Sequence, residues 1–93
     1  MDISFDPAKD GRNIATRSLS FMRAADFDWD GAEIIEDLRH NYPERRLVAV
    51  GYLDGRLHVM CFTPTATGVR VISFRKANAR EARKYGKAKT IDG

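Results

Sequence analysis

The chain has 93 residues, 43% of them hydrophobic and 31% charged, with a formal net charge of +3. That size and balance exclude a disordered chain and allow one modest core, so a single domain over residues 1–93 is expected. There is no apolar run near the roughly 20 residues of a membrane helix, no signal-peptide pattern in "MDISFDPAKD", and one cysteine only, which excludes an internal disulfide and points to a cytoplasmic protein.

In chain order, residues 3–5, "ISF", read as a short strand. Asp6 and Pro7 follow as the cap and first position of a helix reaching about Arg17, with Ile14 and Ala15 inward. Ser20 suits the cap of a second, short helix through "FMRAADF". From Ala32 the pattern turns to strands: "AEIIEDL", "RRLVAVGYL", "RLHVMCFT" and "VRVISFRK", with Cys61 a packing residue of the third. Asp54-Gly55 signals a two-residue hairpin, because both central residues of that turn need positive φ, and "PTATG" forms a looser one. Asn78 to Glu81, "NARE", reads as a capping box that opens a basic C-terminal helix ahead of a loose "KTIDG" tail. This order predicts an α+β fold: an antiparallel sheet of about four strands plus a short N-terminal strand, two N-terminal helices and a C-terminal helix, with the helices packed on one face.

The net charge hides an asymmetry. Residues 1–44 hold ten Asp/Glu against five Lys/Arg, whereas residues 70–93 hold eight Lys/Arg against two acids. A basic end of that density suits a polyanion such as nucleic acid, an acidic protein, or a solvated helix face. At the acidic end, "DFDWDGAEIIED" matches much of an EF-hand loop, with Asp26, Asp28 and Asp30 alternating, Gly31 sixth and Asp37 last. Yet the eighth position is Glu33, the exit is strand-like, and no second loop exists to pair with it. An acidic turn is expected instead, with Phe27 and Trp29 in the core and the aspartates in water. No metal or other cofactor is expected.

Chemistry is better placed in "RVISFRKANAREARKY". Strand alternation puts Val71, Ser73 and Arg75 on one face, opposite Arg70, Ile72 and Phe74. The helix start adds Arg80, Glu81, Arg83 and Lys84, so guanidinium, ammonium and backbone N–H groups could surround a phosphate. Metal-free RNA cleavage needs the 2′-hydroxyl oriented and deprotonated, charge on phosphorus stabilised and the leaving oxygen protonated. Arginine supplies only the charge stabilisation, so the proton carriers must be sought among Glu81, Tyr85, Lys76 and the histidines. His58 shares a strand face with Arg56, Met60 and Phe62, which fits a packed histidine as well as an acid or base. Glu81 and Tyr85 likewise have structural alternatives, as the capping partner and as core.

Three blocks, "FDPAKDGRNIATRSLSF" (5–21), "RLVAVGYLDGRLHVMCFT" (46–63) and "RVISFRKANAREARKY" (70–85), together resemble the BrnT family of bacterial toxins. The resemblance implies a RelE-like ribonuclease of a type II toxin–antitoxin pair that stops translation. It also implies a BrnA-like antitoxin, whose DNA-binding part represses their operon, so DNA contact is indirect. Arg75, Glu81, Tyr85 and His58 are the catalytic candidates, and Arg46, Arg56, Lys76, Arg80, Arg83 and Lys84 the RNA-binding ones. Arg46 keeps a family arginine position. Two departures stand out: Thr16-Arg17-Ser18 replaces the family's Lys-His-Gly, and Glu81-Ala82 replaces Glu-Arg, leaving Arg80 or Arg83 to supply that charge. A catalytically degenerate RNA- or antitoxin-binding module is the alternative reading. It predicts salt-dependent RNA affinity without product.

Overall fold

The computed structural model describes the backbone of residues 1–92 and the side chains of residues 1–85. The elements are β1 (Asp2–Ser4), α1 (Pro7–Arg17), a 3-10 helix (Phe21–Asp26), β2 (Glu33–Glu36), β3 (Leu47–Leu53), β4 (Arg56–Pro64), β5 (Gly68–Lys76) and α2 (Ala79–Asp92). The strands form one five-stranded sheet in the order β1-β5-β4-β3-β2. β2 to β5 run antiparallel to their neighbours, while β1 joins β5 in parallel, Asp2 facing Gly68. The N-terminal strand is therefore a full member of a mixed sheet. Among the described residues no helix is long and apolar enough to cross a membrane.

Local chemistry sets most boundaries. The Asp6 carboxylate accepts from the Ala8 N–H and Pro7 opens α1, which ends at Ser18 in the left-handed region, φ 55°, with the Ser18 N–H on the Ile14 carbonyl. Asp54 and Gly55 adopt φ 51° and 74°, the turn their dipeptide specifies. The capping box is complete: Glu81 N–H donates to Asn78 Oδ1 at 2.8 Å, and Asn78 N–H to Glu81 Oε1 at 2.9 Å. α2 continues through Asp92, over most of the stretch read as a tail.

Four expectations need correction. The second N-terminal helix is one 3-10 segment, because Phe21, Ala24 and Phe27 all enter the core and a three-residue repeat aligns only in the tighter helix. α1 turns Asn13 inward instead of Ile14 and Ala15; Ile14 is 47% exposed. The cause is hydrogen bonding, since the Asn13 amide satisfies two buried main-chain carbonyls, those of Leu19 and Phe74.

The third correction concerns β5. Phe62 faces Val71 but Cys61 faces Ser73, so Ile72 is an extra residue forming a β-bulge. Val71 and Phe74 consequently lie together in the core, while Arg70 and Ser73 are exposed. The simple alternation predicted for this strand holds only on either side of the bulge.

The fourth is the placement of the helices, which cover both faces. On one face Ala49, Leu53, Met60, Phe62, Val71 and Phe74 pack with Leu19, Phe21, Ala24 and Phe27. The Phe27 ring meets Phe74 edge-on at 5.9 Å and Trp29 at 5.1 Å. On the other face, strand alternation presents Tyr52, Leu57 and Val59 to α2. Tyr85 closes that layer, 7% exposed, with its ring 6.1 Å from Tyr52 and its hydroxyl donating to the Gly31 carbonyl at 2.6 Å.

The acidic turn has the expected form. Phe27 is buried, Trp29 packs on the core, and Asp26, Asp28 and Asp30 are exposed. Asp28 accepts from the Gly31 N–H at 3.1 Å and Asp26 from Arg23 Nε at 3.0 Å, so these carboxylates close the turn locally. Asp37 is buried and bound by Arg39 and Tyr42, and the Arg39 guanidinium holds its carboxyl well below the usual range. Among the described residues no group of three or more His, Cys, Asp or Glu comes together to hold a metal ion.

Candidate nucleic-acid cleft

A cleft of about 730 Å³ opens where the end of α1, the β3–β4 hairpin and the end of β5 meet. Its cations are Arg17, Arg23, Arg56, Arg75 and Lys76, and its wall includes His58. α1 is pinned there by Asn13, which is 5% exposed and donates to the Leu19 and Phe74 carbonyls at 2.9 Å each. One helical turn on, Arg17 Nη1 donates to Asn13 Oδ1 at 3.0 Å, so the buried amide also steadies the guanidinium. The hairpin is tied in by Arg23, whose Nη2 donates to both oxygens of Asp54 at 2.8 and 2.9 Å. The Asp54 and Asp26 carboxylates hold that guanidinium above its ordinary pKa.

His58 lies on β4 opposite Lys76. It is 4% exposed, and its ring meets Phe74 at 5.5 Å. Its Nδ1 is 2.7 Å from the Arg56 carbonyl. A carbonyl can only accept, so Nδ1 carries the proton and Nε2 of the neutral ring bears the lone pair.

Arg75 joins the cleft to α2. Its Nη1 and Nη2 donate to the two Glu81 oxygens at 2.8 and 3.0 Å, and Nη1 also reaches the Lys76 carbonyl at 3.3 Å. Three of its five N–H donors are thus committed, leaving two for a ligand. The Arg75 bonds, with the Asn78 N–H, lower the Glu81 carboxyl from 4.5 to about 2, so it is ionised at neutral pH and is a weak base.

The structure therefore brings Arg56, His58, Arg75 and Lys76 together at the cleft, with Glu81 attached through Arg75. It does not bring Tyr85, which is buried against the other face, nor Arg80, Arg83 and Lys84, which are exposed on α2. Arg46 lies beyond the opposite end of β3, roughly 17 Å along the strand from the level of His58 at about 3.3 Å per residue. Its guanidinium sits 4.2 Å over the Tyr42 ring. Sequence reasoning passed over Arg23 and treated Arg17 only as a departure. The Asn13–Arg17 spacing of four on one helix was the available signal.

A family model described as "Ribonuclease toxin, BrnT, of type II toxin-antitoxin system" matches residues 5–81. The chain belongs to the BrnT family. The match spans every residue of the cleft and stops at the Glu81 that Arg75 holds. No curated protein matches the chain. As a member of BrnT, it is a toxin of the ribonuclease class, and an antitoxin is the partner that such a system implies.

Proposed function

We propose that this chain is a RelE-like, metal-independent endoribonuclease that stops translation by cleaving RNA in the basic cleft and is neutralised by a BrnA-like antitoxin. The observation that carries this reading is the meeting of four arginines, Lys76 and the tautomer-fixed His58 in one cleft. His58 Nε2 takes the proton of the 2′-hydroxyl as the 2′-oxygen forms its bond to phosphorus. The bond from phosphorus to the 5′-oxygen breaks, and the Lys76 ammonium protonates that leaving group. Arg17, Arg56 and the two open N–H groups of Arg75 stabilise the charge on the phosphoryl oxygens. Glu81 is a positioning residue that orients Arg75. Arg80, Arg83 and Lys84 extend the positive surface along α2, and Arg46 and Tyr85 fall outside the catalytic set.

The test is cleavage of a defined single-stranded RNA in excess EDTA, beside Arg75→Ala confirmed to be folded. Products from the parent chain and at least tenfold less from Arg75→Ala support the reading. Undiminished cleavage by Arg75→Ala removes that residue from the mechanism. The arginine at position 17, where the family resemblance places a histidine, favours a second reading: a binding module without activity. It would retain RNA with salt-dependent affinity and release no product.

A further inference from the structure

The two edges of the sheet differ. β1 is an edge of three residues whose Ile3 packs on the core. β2, at the other edge, carries Ile34 and Ile35, 43% and 58% exposed, and runs into Leu38, 79% exposed. Soluble proteins blunt such edges with lysine, proline or a covering loop, because unpaired N–H and C=O groups template a further strand. β2 contains neither lysine nor proline.

The pairing fixes which of its groups are open. Asp37 N–H donates to the Arg46 carbonyl at 2.8 Å, continuing the register in which Glu36 faces Leu47 and Glu33 faces Val50. Bonded and non-bonded pairs alternate along an antiparallel ladder, so Glu33, Ile35 and Asp37 exchange bonds with β3. Ile34 and Glu36 therefore turn their N–H and C=O groups away from the sheet.

We propose that β2 receives an extended segment of the antitoxin as a sixth strand, with apolar residues against Ile34, Ile35 and Leu38 and lysine or arginine opposite Glu33 and Glu36; this rests on the toxin–antitoxin reading. Charge selects that occupant. Glu33 and Glu36 are exposed and follow the exposed Asp28 and Asp30, and of these four only Glu36 has an ion-pair partner among the described residues, Arg45 at 3.6 Å. Such an edge repels RNA, which the basic cleft attracts. It also repels a second copy of itself, since edge-to-edge pairing would set acidic strands side by side. A basic, apolar strand meets neither obstacle and gains main-chain hydrogen bonds.

The test is amide hydrogen exchange on the free chain and on its complex with the protein encoded beside it. The Ile34 and Glu36 amides are expected to exchange readily in the free chain and at least tenfold more slowly in the complex. Glu36→Pro removes an outward N–H together with the exposed carboxylate that meets Arg45, and Ile35→Arg adds a charge that repels a basic strand. Each is expected to keep the fold and RNA cleavage while weakening the complex at least tenfold. A complex that leaves residues 33–38 exchanging as before overturns the edge assignment and spares the toxin–antitoxin reading. Failure to form a complex removes both, and protection of the same amides by self-association replaces the antitoxin with a second copy.

Discussion

The Asn13 side-chain amide donates to the main-chain carbonyl of Phe74 at 2.9 Å, joining the first helix to the strand that ends in the cleft. With its bonds to Leu19 and Arg17, this one buried side chain supplies three contacts. Asn13→Ala is expected to leave two buried carbonyls unpaired and to cost about 3 kcal/mol, read as a lower urea midpoint with an unchanged slope. An unaltered midpoint would mean that water replaces the amide.

Acid should separate the Arg75–Glu81 pair. The folded Glu81 carboxyl lies at about 2 against an ordinary 4.5. Because the folded value is the lower one, the stabilisation is complete above about 4.5 and is lost as pH falls toward 2. Both side chains are roughly a third exposed, so solvent screening limits the effect to about 1 kcal/mol. Glu81→Gln should be less stable at pH 7 by that amount and should lose less on acidification, measured as thermal midpoints across that window.

Arg17 is exposed and tests the cleft at the cost of its hydrogen bond to Asn13 Oδ1. Arg17→Ala should weaken single-stranded RNA binding about tenfold and reduce the slope of affinity against salt by about one, the mark of a single lost phosphate contact. A changed affinity with the same slope would assign Arg17 to shape and not to phosphate.

Gly51 faces His58 across the ladder, beneath the aromatic layer. A methyl group there would lie 2.8 Å from Phe27 Cζ and 3.0 Å from Ala32 Cβ. Gly51→Ala should therefore destabilise by about 1–3 kcal/mol and shift Trp29 fluorescence, since Phe27 and Trp29 pack together. A midpoint equal to that of the parent would show that the Phe27 ring moves aside without cost.

Features with a local cause were legible in the sequence. The Asp6-Pro7 start, the Asp54-Gly55 turn and the Asn78–Glu81 box each rest on side chains within three residues, and each formed as read. The meeting of Arg56 and His58 with Arg75 and Lys76 is set by the antiparallel pairing of β4 with β5, in which His58 faces Lys76, and not by spacing along the chain. What escaped depends on long-range fit. Asn13 displaced Ile14 because a carbonyl 61 residues away needed a donor. The side of the sheet taken by α2 was set by where Tyr85 could seat its ring and hydroxyl, beside Tyr52 and Gly31.

The extra residue at Ile72 makes the downstream end of β5 a matter of chain count. Were Ile72 paired one-to-one with Cys61 instead of bulged, every residue after it would change face: Phe74 would leave the aromatic layer, and Arg75 would turn toward Phe27 instead of Glu81. Side-chain chemistry alone therefore does not place these cations. Deletion of Ile72 would keep Ser73 opposite Cys61 and Phe74 opposite Met60, whereas loss of one residue from the regular stretch after the bulge would turn the cations to the other face and dismantle cleft and ion pair together.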